Sequence, residues 1–288
     1  MAKIAIIGTG RMGTAFARRL LETGNDVVVW NRTAENTAAA SDAGAEVAET
    51  LDALKGSDAI LLSLTDAEAV GAVAEQLCAG GLSGQLVIDT STLLPDDTRR
   101  IAETFTAAGA DYVDCPVGGT VGPALKGQLL GMAGGTEAGF AKAKPIMEQL
   151  CKRVEHLGPA GSGAHMKLAV NLPLAMYWKT LAEALTLLED SGIPNDVAIS
   201  MIADSSAGPA VLKNRAQVVV DTLNGTDQPG TFDLNGLMKD LGLALQHAAL
   251  KDRPMPLSEA TRAGYEKAIA AGLGGCDGAS LTKFLLDR

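Results

Sequence analysis

The sequence predicts an α/β domain built on a doubly wound, mostly parallel sheet, followed by a long interdomain helix and an all-α C-terminal domain. In the first half, short β-branched runs alternate with helical segments, whereas strand signals stop after about residue 160. Such alternation implies strand–helix–strand units and a sheet covered on both faces. The length of 288 residues also corresponds to about two domains of ordinary size. We place these domains at residues 1–160 and 161–288.

Strands and helix starts of the first domain follow from local patterns. Threonines that can cap a helix N-terminus precede four helical segments; they are Thr33, Thr50, Thr65 and Thr136. The predicted strands are Lys3–Ile7, Val27–Trp30, Ala59–Leu64, Leu86–Asp89, Tyr112–Asp114, Leu129–Ala133 and Arg153–Leu157.

The second domain is predicted to begin with a long helix. A glycine-rich loop at 161–163, in which Ser162 can act as a cap, precedes a helix over Ala164–Asp190 that Gly192 ends. Pro173 removes one backbone hydrogen bond inside this helix, so we expect a kink nearby. The later helices are Val197–Ala203, Pro209–Leu223, Leu237–Leu250, Leu257–Ala271 and Leu281–Leu285.

Composition and charge exclude several classes of protein. Hydrophobic residues make up 47% and charged residues 20% of the chain, which is typical of a globular protein. No apolar run approaches the ~18 residues needed to span a bilayer. The 24 basic and 34 acidic residues give a net charge of −10, and neither half forms a basic nucleic-acid surface. We expect a cytoplasmic protein with no signal peptide and no membrane or nucleic-acid partner.

Cysteines and histidines predict neither a disulfide framework nor a metal site. The four cysteines contain no C-x-x-C pair, so they indicate reduced thiols; they are Cys78, Cys115, Cys151 and Cys276. The three histidines form no H-E-x-x-H or similar cluster; they are His156, His165 and His247.

A glycine-rich motif follows the first predicted strand and opens a helix that runs to Thr23. In this context G-x-G-x-x-G allows a tight turn, close approach of the backbone to a pyrophosphate, and close helix–strand packing. Backbone N–H groups at the helix start then face the phosphates. The motif therefore predicts a dinucleotide site of the Rossmann type rather than an ordinary turn. Its residues are Gly8, Thr9, Gly10, Arg11, Met12 and Gly13.

The residues after the second predicted strand distinguish NAD from NADP. An NAD site places Asp or Glu there to accept hydrogen bonds from the ribose 2′-hydroxyl. Here the strand is followed by Asn31, Arg32 and Thr33. No carboxylate repels a 2′-phosphate, and Arg32 can pair with one bidentately, although it can also be a solvated loop residue. We predict NADP(H) as the cofactor, with these three residues in its site.

Three further segments resemble the β-hydroxyacid dehydrogenase family. Residues 158–171, GPAGSGAHMKLAVN, resemble its G-x-x-G-x-G-x-x-x-K-x-x-x-N motif. Residues 114–120, DCPVGGT, resemble its substrate-binding D-x-P-V-S-G-G/S segment, and residues 239–241 resemble its late K-D-L. With the dinucleotide motif these segments cover the whole chain in order. The chain is identified as a member of this family, which includes hydroxyisobutyrate dehydrogenases and glyoxylate/succinic semialdehyde reductases and is related in fold to imine reductases.

Lys167 and Asn171 are the candidate catalytic residues. They lie four positions apart on the predicted long helix, so both project from one face. A lysine can protonate the oxygen of a carbonyl that receives hydride, and the Asn171 amide can hold that oxygen or the lysine. On an ordinary exposed helix such a pair is simply part of the solvent-exposed surface and has no catalytic role. The glycine-rich lead-in and the family resemblance favour the catalytic interpretation.

The resemblance implies further site residues. Thr92 lies beside the nicotinamide by resemblance, and Lys239 approaches the cofactor or substrate from the helical domain; Leu64 is assigned to the cofactor-binding set. Structural alternatives are a helix cap for Thr92, and for Lys239 a surface lysine paired with Asp240 or Asp233.

The candidate substrate segment departs from the family pattern at one position. Gly118 stands where many members carry the serine that helps to bind a substrate carboxylate. The backbone N–H groups of Gly118, Gly119 and Thr120 can still form an anion-binding concavity, and the Thr120 hydroxyl lies nearby in sequence. Preference for a hydroxyacid is therefore in doubt. Residues 123–124 and 127–129 resemble the glyoxylate/succinic semialdehyde reductase branch.

These features predict an NADPH-dependent oxidoreductase that transfers hydride between the nicotinamide and a small carbonyl or hydroxy compound, a semialdehyde or 2-oxo acid. An imine reductase is an alternative, although Lys167 favours carbonyl reduction. A non-catalytic dinucleotide-binding sensor or scaffold is another, since fold alone does not establish activity. The apolar helices and the resemblance predict a homodimer or homotetramer. The physiological substrate and the direction of the reaction stay open.

Overall fold

The computed structural model describes residues 2–287. Its contacts divide the chain into two compact units, the first ending at Lys167 and the second beginning at Leu168. The first unit alternates strands and helices, and the second contains helices without named strands in its described part. The predicted fold class, an α/β domain followed by an all-α domain, is confirmed.

The sheet of the first unit is mostly parallel. Its strands are β1 Lys3–Ile7, β2 Asp26–Trp30, β3 Glu46–Val47, β4 Ala59–Leu62, β5 Leu86–Asp89, β6 Asp111–Asp114, β7 Val117–Gly118, β8 Leu129–Gly135 and β9 Cys151–His156. The order β3-β2-β1-β4-β5-β6 is parallel throughout. Strand β8 joins β6 and β7 antiparallel and β9 parallel. The carboxyl ends of β1, β2, β4 and β5 therefore share one edge of the sheet, where a doubly wound fold binds its ligand.

Helices pack against the sheet through two separate hydrophobic cores. Alternate residues of β1 enter different cores: Ile4 and Ile6 pack in the cluster that contains Phe16, whereas Ile7 packs in the cluster that contains Phe105. Burial of both faces explains why these strands are apolar throughout rather than alternating. The helices are α1 Arg11–Glu22, α2 Ala38–Ser41, α3 Ala67–Cys78, α4 Pro95–Ala107, α5 Val121–Leu125 and α6 Glu137–Leu150.

Two of the predicted caps precede genuine α-helices. The Thr136 hydroxyl accepts a hydrogen bond from the backbone N–H of Gly139 at 3.0 Å, so this cap is confirmed. At the start of α3 the predicted N-cap residue, Thr65, is wrong by one position. Asp66 occupies the cap position and its Oδ1 accepts from the Ala69 N–H at 2.8 Å. Aspartate is the stronger N-cap residue of the two, which explains the shift.

The other two predicted caps do not start α-helices directly. Thr33 precedes a 3₁₀ turn over Ala34–Thr37, and its side chain forms no capping hydrogen bond. After Thr50, the chain forms a 3₁₀ turn over Asp52–Leu54 whose N-cap residue is Leu51. Both segments are short, and a 3₁₀ turn of this length satisfies its backbone without a side-chain cap.

Only β1 and β5 have the predicted bounds; β2, β6, β8 and β9 differ from the prediction by one or two residues at one end or both. Strand β4 ends at Leu62, not at Leu64, because the Leu64 N–H is donated to the Ser91 hydroxyl at 3.1 Å. The prediction also missed β3 and β7, which consist of two residues each. Strands this short carry no alternating pattern to detect.

The second unit is a bundle of helices. They are α7 Ser162–Thr186, which begins in the first unit, then α8 Asn195–Asp204, α9 Ala210–Leu223, α10 Leu234–Ala249, α11 Pro256–Ala268 and α12 Gly278–Leu286. Several hydrogen bonds tie α7 to its neighbours; among them, the Tyr265 hydroxyl donates to the Ala175 carbonyl at 2.8 Å, and the Thr282 hydroxyl donates to the Trp178 carbonyl at 2.7 Å. Tyr265 and Trp178 are both buried in the bundle core.

Helix α7 is shorter than predicted at its C-terminal end. It ends at Thr186 rather than Asp190, and Asp190 has a φ of +61°, which a right-handed helix cannot accommodate. Ser162 is its first residue. In residues 2–287 no helix has both the length and the apolarity of a membrane span.

Candidate active site

The turn between β1 and α1 has the geometry that a pyrophosphate site requires. Gly8 has a φ of +94°, and a Cβ at this position would lie 2.9 Å from Cδ2 of Leu64 and closer still to the Ser63 carbonyl oxygen. A Cβ on Gly13 would overlap the carbonyl oxygen of Gly8. A side chain on Gly8 would collide with the segment after β4, and one on Gly13 would push α1 away from the end of β1, as expected for the first and last glycines of this motif.

The N-terminus of α1 is left open for an anion. Gly10 is the N-cap residue and provides no side chain to cap the helix, and the first turn contains no acidic residue. A Cβ on Gly10 would meet nothing within 4 Å. The Thr9 hydroxyl is buried and has no hydrogen-bond partner. Uncapped N–H groups, open space and an unsatisfied buried hydroxyl fit the phosphates of a dinucleotide. Arg11 and Met12 open the helix here, with Arg11 exposed.

The end of β2 is tied to this turn. The Gly8 N–H donates to the Trp30 carbonyl at 2.9 Å, and the Thr9 N–H donates to Oδ1 of Asn31 at 3.3 Å. The Asn31 amide nitrogen in turn donates to the Thr33 carbonyl at 2.8 Å. Asn31 thus connects the glycine-rich turn with the loop that holds Arg32.

Arg32 is exposed and forms no ion pair with any side chain in residues 2–287. No acidic residue occupies the end of β2, where the chain continues as Asn31, Arg32 and Thr33. The guanidinium is therefore available to a ligand in this loop.

A second loop joins the same edge of the sheet. Leu64 follows β4, and its backbone N–H donates to Oγ of Ser91, which follows β5. Thr92 is the next residue, and it is partly buried. Leu94, not Thr92, occupies the N-cap position of α4, so Thr92 does not cap that helix. Leu64 and Thr92 are thus held on neighbouring loops beside the glycine-rich turn.

The start of α7 is fixed by a buried carboxylate. Asp114 ends β6, and its two oxygens accept hydrogen bonds from the backbone N–H groups of Gly161 at 2.9 Å and Ala164 at 3.0 Å. Burial raises the pKa of the Asp114 carboxyl, and these backbone bonds oppose the rise. Asp114 therefore anchors the first turn of the helix that carries Lys167.

Lys167 is a buried lysine with a fixed direction. Only 8% of it is exposed, and its Nζ donates to the Val117 carbonyl oxygen at 2.8 Å. That bond uses one of the three N–H donors of an ammonium group. Since Val117 precedes Gly118, the bond places the ammonium beside the predicted substrate segment. Gly119 in that segment has a φ of +122°, and Thr120 is the N-cap residue of α5.

Asn171 lies one turn further along α7 and is also buried. Its Nδ2 donates to Oδ2 of Asp240 at 2.6 Å. Lys239 is partly exposed, and its Nζ lies 3.8 Å from Oδ1 of Asp240. The second unit therefore brings the Asn171 amide and the Lys239–Asp240 pair together.

Hydrogen bonds and an ion pair thus connect the predicted site residues in four groups. In the first unit these are the glycine-rich turn with Asn31, the loops of Leu64 and Thr92, and Lys167 with residues 117–120. In the second unit Asn171 is grouped with residues 239–240. Sequence reasoning missed the Val117 carbonyl as the partner of Lys167 and Asp240 as the partner of Asn171. The K-D-L resemblance pointed at Asp240 without giving its role. In residues 2–287, no group of three or more His, Cys, Asp or Glu side chains is arranged to hold a metal ion.

A doubly wound sheet with an open helix N-terminus after β1 defines a dinucleotide-binding protein. Comparison with known proteins identifies the family to which it belongs. Residues 3–158 match the family model for the NAD binding domain of 6-phosphogluconate dehydrogenase. Residues 161–285 match the model for the NAD-binding domain of NADP-dependent 3-hydroxyisobutyrate dehydrogenase. The chain belongs to the β-hydroxyacid dehydrogenase family of nicotinamide-dependent oxidoreductases, as the resemblance predicted.

Individual relatives cover nearly the whole chain. Glyoxylate/succinic semialdehyde reductase 1 of Arabidopsis thaliana is 31% identical over 283 residues, which are 96% of this chain and 95% of that protein. The 3-sulfolactaldehyde reductase of Escherichia coli is 34% identical, covering 95% of this chain and 92% of the relative. A Mycobacterium tuberculosis 3-hydroxyisobutyrate dehydrogenase structure has a TM-score of 0.89 at 26% identity, with 99% of each chain covered. An imine reductase from Pseudomonas sp., at 22% identity and a TM-score of 0.65, shares the fold.

Proposed function

We propose that the protein is an NADPH-dependent reductase of a small carbonyl compound, a semialdehyde or a 2-oxo acid, with Lys167 as the general acid. The observation that carries this proposal is the buried Lys167 ammonium, which donates a hydrogen bond to the Val117 carbonyl. This bond holds the ammonium beside Gly118 in the predicted substrate segment. The names of relatives support the substrate class, since two of them are aldehyde reductases, for glyoxylate/succinic semialdehyde and for 3-sulfolactaldehyde.

The preference for NADPH rests on Arg32. An exposed guanidinium without an ion-pair partner suits the 2′-phosphate of NADPH, and the loop has no carboxylate to accept hydrogen bonds from the ribose 2′-hydroxyl of NADH. Asn31 supports that loop through its bonds to Thr9 and Thr33. A structure of a related protein in complex with NADP+ supports the same choice.

The side chains of the protein itself carry out the proton transfer. Bound NADPH supplies the hydride. Lys167 donates a proton to the substrate oxygen as charge develops there, and accepts one from an alcohol in the reverse direction. Asn171, whose amide nitrogen is committed to Asp240, offers its carbonyl oxygen to a substrate hydroxyl or to the lysine.

The proposal is tested by following NADPH oxidation with a panel of semialdehydes, 2-oxo acids, simple ketones and cyclic imines. Turnover of semialdehydes or 2-oxo acids that exceeds turnover of imines supports it. Faster reduction of imines would instead favour the imine reductase alternative. NADPH binding with no turnover of any member would favour the non-catalytic sensor or scaffold.

We also propose that the protein assembles as a homodimer or homotetramer through its helical unit. Several large apolar side chains of that unit are exposed, and contact with a second copy of the chain would remove such side chains from water; they are Leu187, Ile193, Val197, Met201, Leu250 and Leu257. Light scattering at micromolar concentration is expected to give at least twice the chain mass of 29.5 kDa. A mass near that of one chain would contradict the proposal.

A further inference from the structure

A buried carboxylate, Asp89, stands at the carboxyl end of β5 and takes no part in the proton chemistry above. It is 1% exposed. Its Oδ1 accepts a hydrogen bond from the Ser91 N–H at 2.9 Å, and its Oδ2 accepts one from the Tyr112 hydroxyl at 2.9 Å. The Ser91 hydroxyl also forms a hydrogen bond with the Asp89 carboxylate. Several donors therefore converge on one carboxylate.

These bonds continue into the candidate cofactor site. Oγ of Ser91 accepts from the Leu64 N–H at 3.1 Å, so a chain of donors runs from Leu64 through Ser91 to Asp89. Leu64 packs against the position of Gly8 in the glycine-rich turn, and Thr92 directly follows Ser91. One carboxylate thus holds both loops that carry predicted cofactor-binding residues.

We propose that Asp89 is a positioning residue for dinucleotide binding: its ionised carboxylate holds residues 64 and 91–92 in the binding geometry, and its protonation releases them. This inference rests on the proposed function only in that the ligand is a nicotinamide dinucleotide. Protonation removes the negative charge, so the hydrogen bonds from the Ser91 N–H and hydroxyl to this carboxyl group lose their charge-assisted strength. The weaker bonds then hold residues 64 and 91–92 less firmly.

The titratable groups that face Asp89 lie on one neighbouring strand. Strand β6 contributes Tyr112, which donates to it, and Asp114, whose charge opposes its ionisation. On the other side β4 places Leu62 opposite Asp89. The charged side chains of α6 are exposed, and those of α4 are exposed or partly exposed, with two Asp–Arg ion pairs among them. Burial is the largest effect and raises the Asp89 pKa to about 6.

Linkage between binding and protonation gives the proposal a direct test. If the dinucleotide binds to the form with ionised Asp89, binding must release protons near the pKa of that group, and affinity must weaken as pH falls. Below the midpoint, Kd rises at most about tenfold per pH unit for one linked proton. If Asp89 had only a structural role, its replacement would weaken dinucleotide binding equally at every pH. Binding to the wild type would then release no proton from Asp89.

The experiment is titration calorimetry of the full chain with NADPH, between about pH 5 and pH 8, in buffers that differ in ionisation enthalpy. The 2′-phosphate of NADPH is itself expected to titrate near pH 6, as phosphate monoesters do. Proton release is therefore compared between the wild type and Asp89→Asn, and repeated with NADH, which has no 2′-phosphate. We expect the wild type to release more protons than Asp89→Asn with both ligands.

A second variant and a matched control keep the test independent of folding defects in Asp89→Asn. The Tyr112 hydrogen bond lowers the Asp89 pKa, so Tyr112→Phe is expected to move the midpoint of the Kd profile to higher pH. Asp111→Asn changes a surface aspartate of the same strand, paired with Lys142, and is expected to leave the midpoint in place. Equal proton release in the wild type and Asp89→Asn, or an unmoved midpoint in Tyr112→Phe, would overturn this inference alone. Absence of NADPH and NADH binding at every pH would overturn the proposed function.

Discussion

The amide nitrogen of Asn171 donates to the carboxylate of Asp240 at 2.6 Å, across 69 positions of sequence. An ionised carboxylate can only accept hydrogen bonds, so this contact dictates which way the Asn171 amide faces. The Asn171 amide nitrogen therefore faces Asp240. Asp240 thus orients its neighbour without being a predicted ligand contact.

Removal of the Asp240 carboxylate is expected to release the Asn171 amide and to impair turnover. A hydrogen bond to a charged group contributes about 1.5–3 kcal/mol, so Asp240→Ala is expected to lower kcat/KM by roughly 10- to 150-fold at most. Asp240→Asn keeps an acceptor and is expected to lose less. Steady-state kinetics with the best carbonyl substrate compares the two variants. Equal losses in both would contradict a role in orienting Asn171.

Lys167→Ala is expected to remove the general acid. A positioned acid contributes typically about 10²–10⁴-fold, so kcat should fall by that factor while NADPH affinity, measured by fluorescence titration, stays nearly unchanged. Lys167→Arg keeps the charge but transfers a proton poorly, so it should restore little activity. Lys126→Ala, an exposed lysine of the same unit, is the matched control and should behave as wild type. Near-normal turnover in Lys167→Ala would contradict the mechanism.

Arg32→Ala is expected to reduce the preference for NADPH. Loss of a charge-assisted bond to the 2′-phosphate costs about 1.5–3 kcal/mol, or roughly 10- to 150-fold in the ratio of kcat/KM for NADPH to that for NADH. The value for NADH should change little. Arg18→Ala, an exposed arginine on α1, serves as the control for general loss of positive charge. A wild-type protein that prefers NADH would refute the role assigned to this loop.

Gly118→Ser is expected to favour substrates that carry a carboxylate. A Cβ at this position would lie 3.5 Å from Cβ of Leu130 and 3.8 Å from Cε of Met132, so the serine fits without strain. The added hydroxyl can improve kcat/KM for such substrates by roughly 10- to 150-fold relative to neutral aldehydes. Gly118→Ala adds the Cβ alone and should leave the ratio unchanged. An unchanged ratio in Gly118→Ser would mean that Thr120 or the backbone already binds the carboxylate.

Asp89 makes the stability of the free protein depend on pH. Its folded pKa of about 6 exceeds the ordinary value of 3.8, so its stabilising contribution is full below that ordinary value and is lost as pH rises through 6. From about pH 5 to pH 8 this group alone should remove roughly 1–1.5 kcal/mol from the free energy of unfolding. Burial of Asp114 raises its pKa and acts in the same direction.

Denaturant unfolding of the ligand-free protein at several pH values measures this loss. Asp89→Asn cannot ionise, so it should show a smaller decline between the same pH values, whereas the surface variant Asp111→Asn should follow the wild type. A decline of equal size in the wild type and Asp89→Asn would assign the effect to other groups.

Much of the fold was predictable because its signals are local. The glycines at 8, 10 and 13 and the end of β2, which has no carboxylate, lie within one strand–helix–strand unit, where spacing reports geometry directly. The partners of the catalytic candidates were not predictable in this way. Val117 lies 50 positions from Lys167 and Asp240 lies 69 from Asn171, and no local periodicity encodes such contacts. The two-residue strand β7 was missed for the related reason that its length carries no pattern.

The buried hydroxyl of Thr9 gives the free protein a local defect next to its own ligand site. A polar group buried without a partner destabilises a fold by about 1–3 kcal/mol, and a ligand oxygen that satisfies it relieves that penalty at the moment of binding. Relief of that penalty would add to the affinity for a dinucleotide beyond the new contacts themselves. The turn after β1 is accordingly expected to be among the first parts of the ligand-free unit to exchange its amide hydrogens, and to become protected once a ligand is bound.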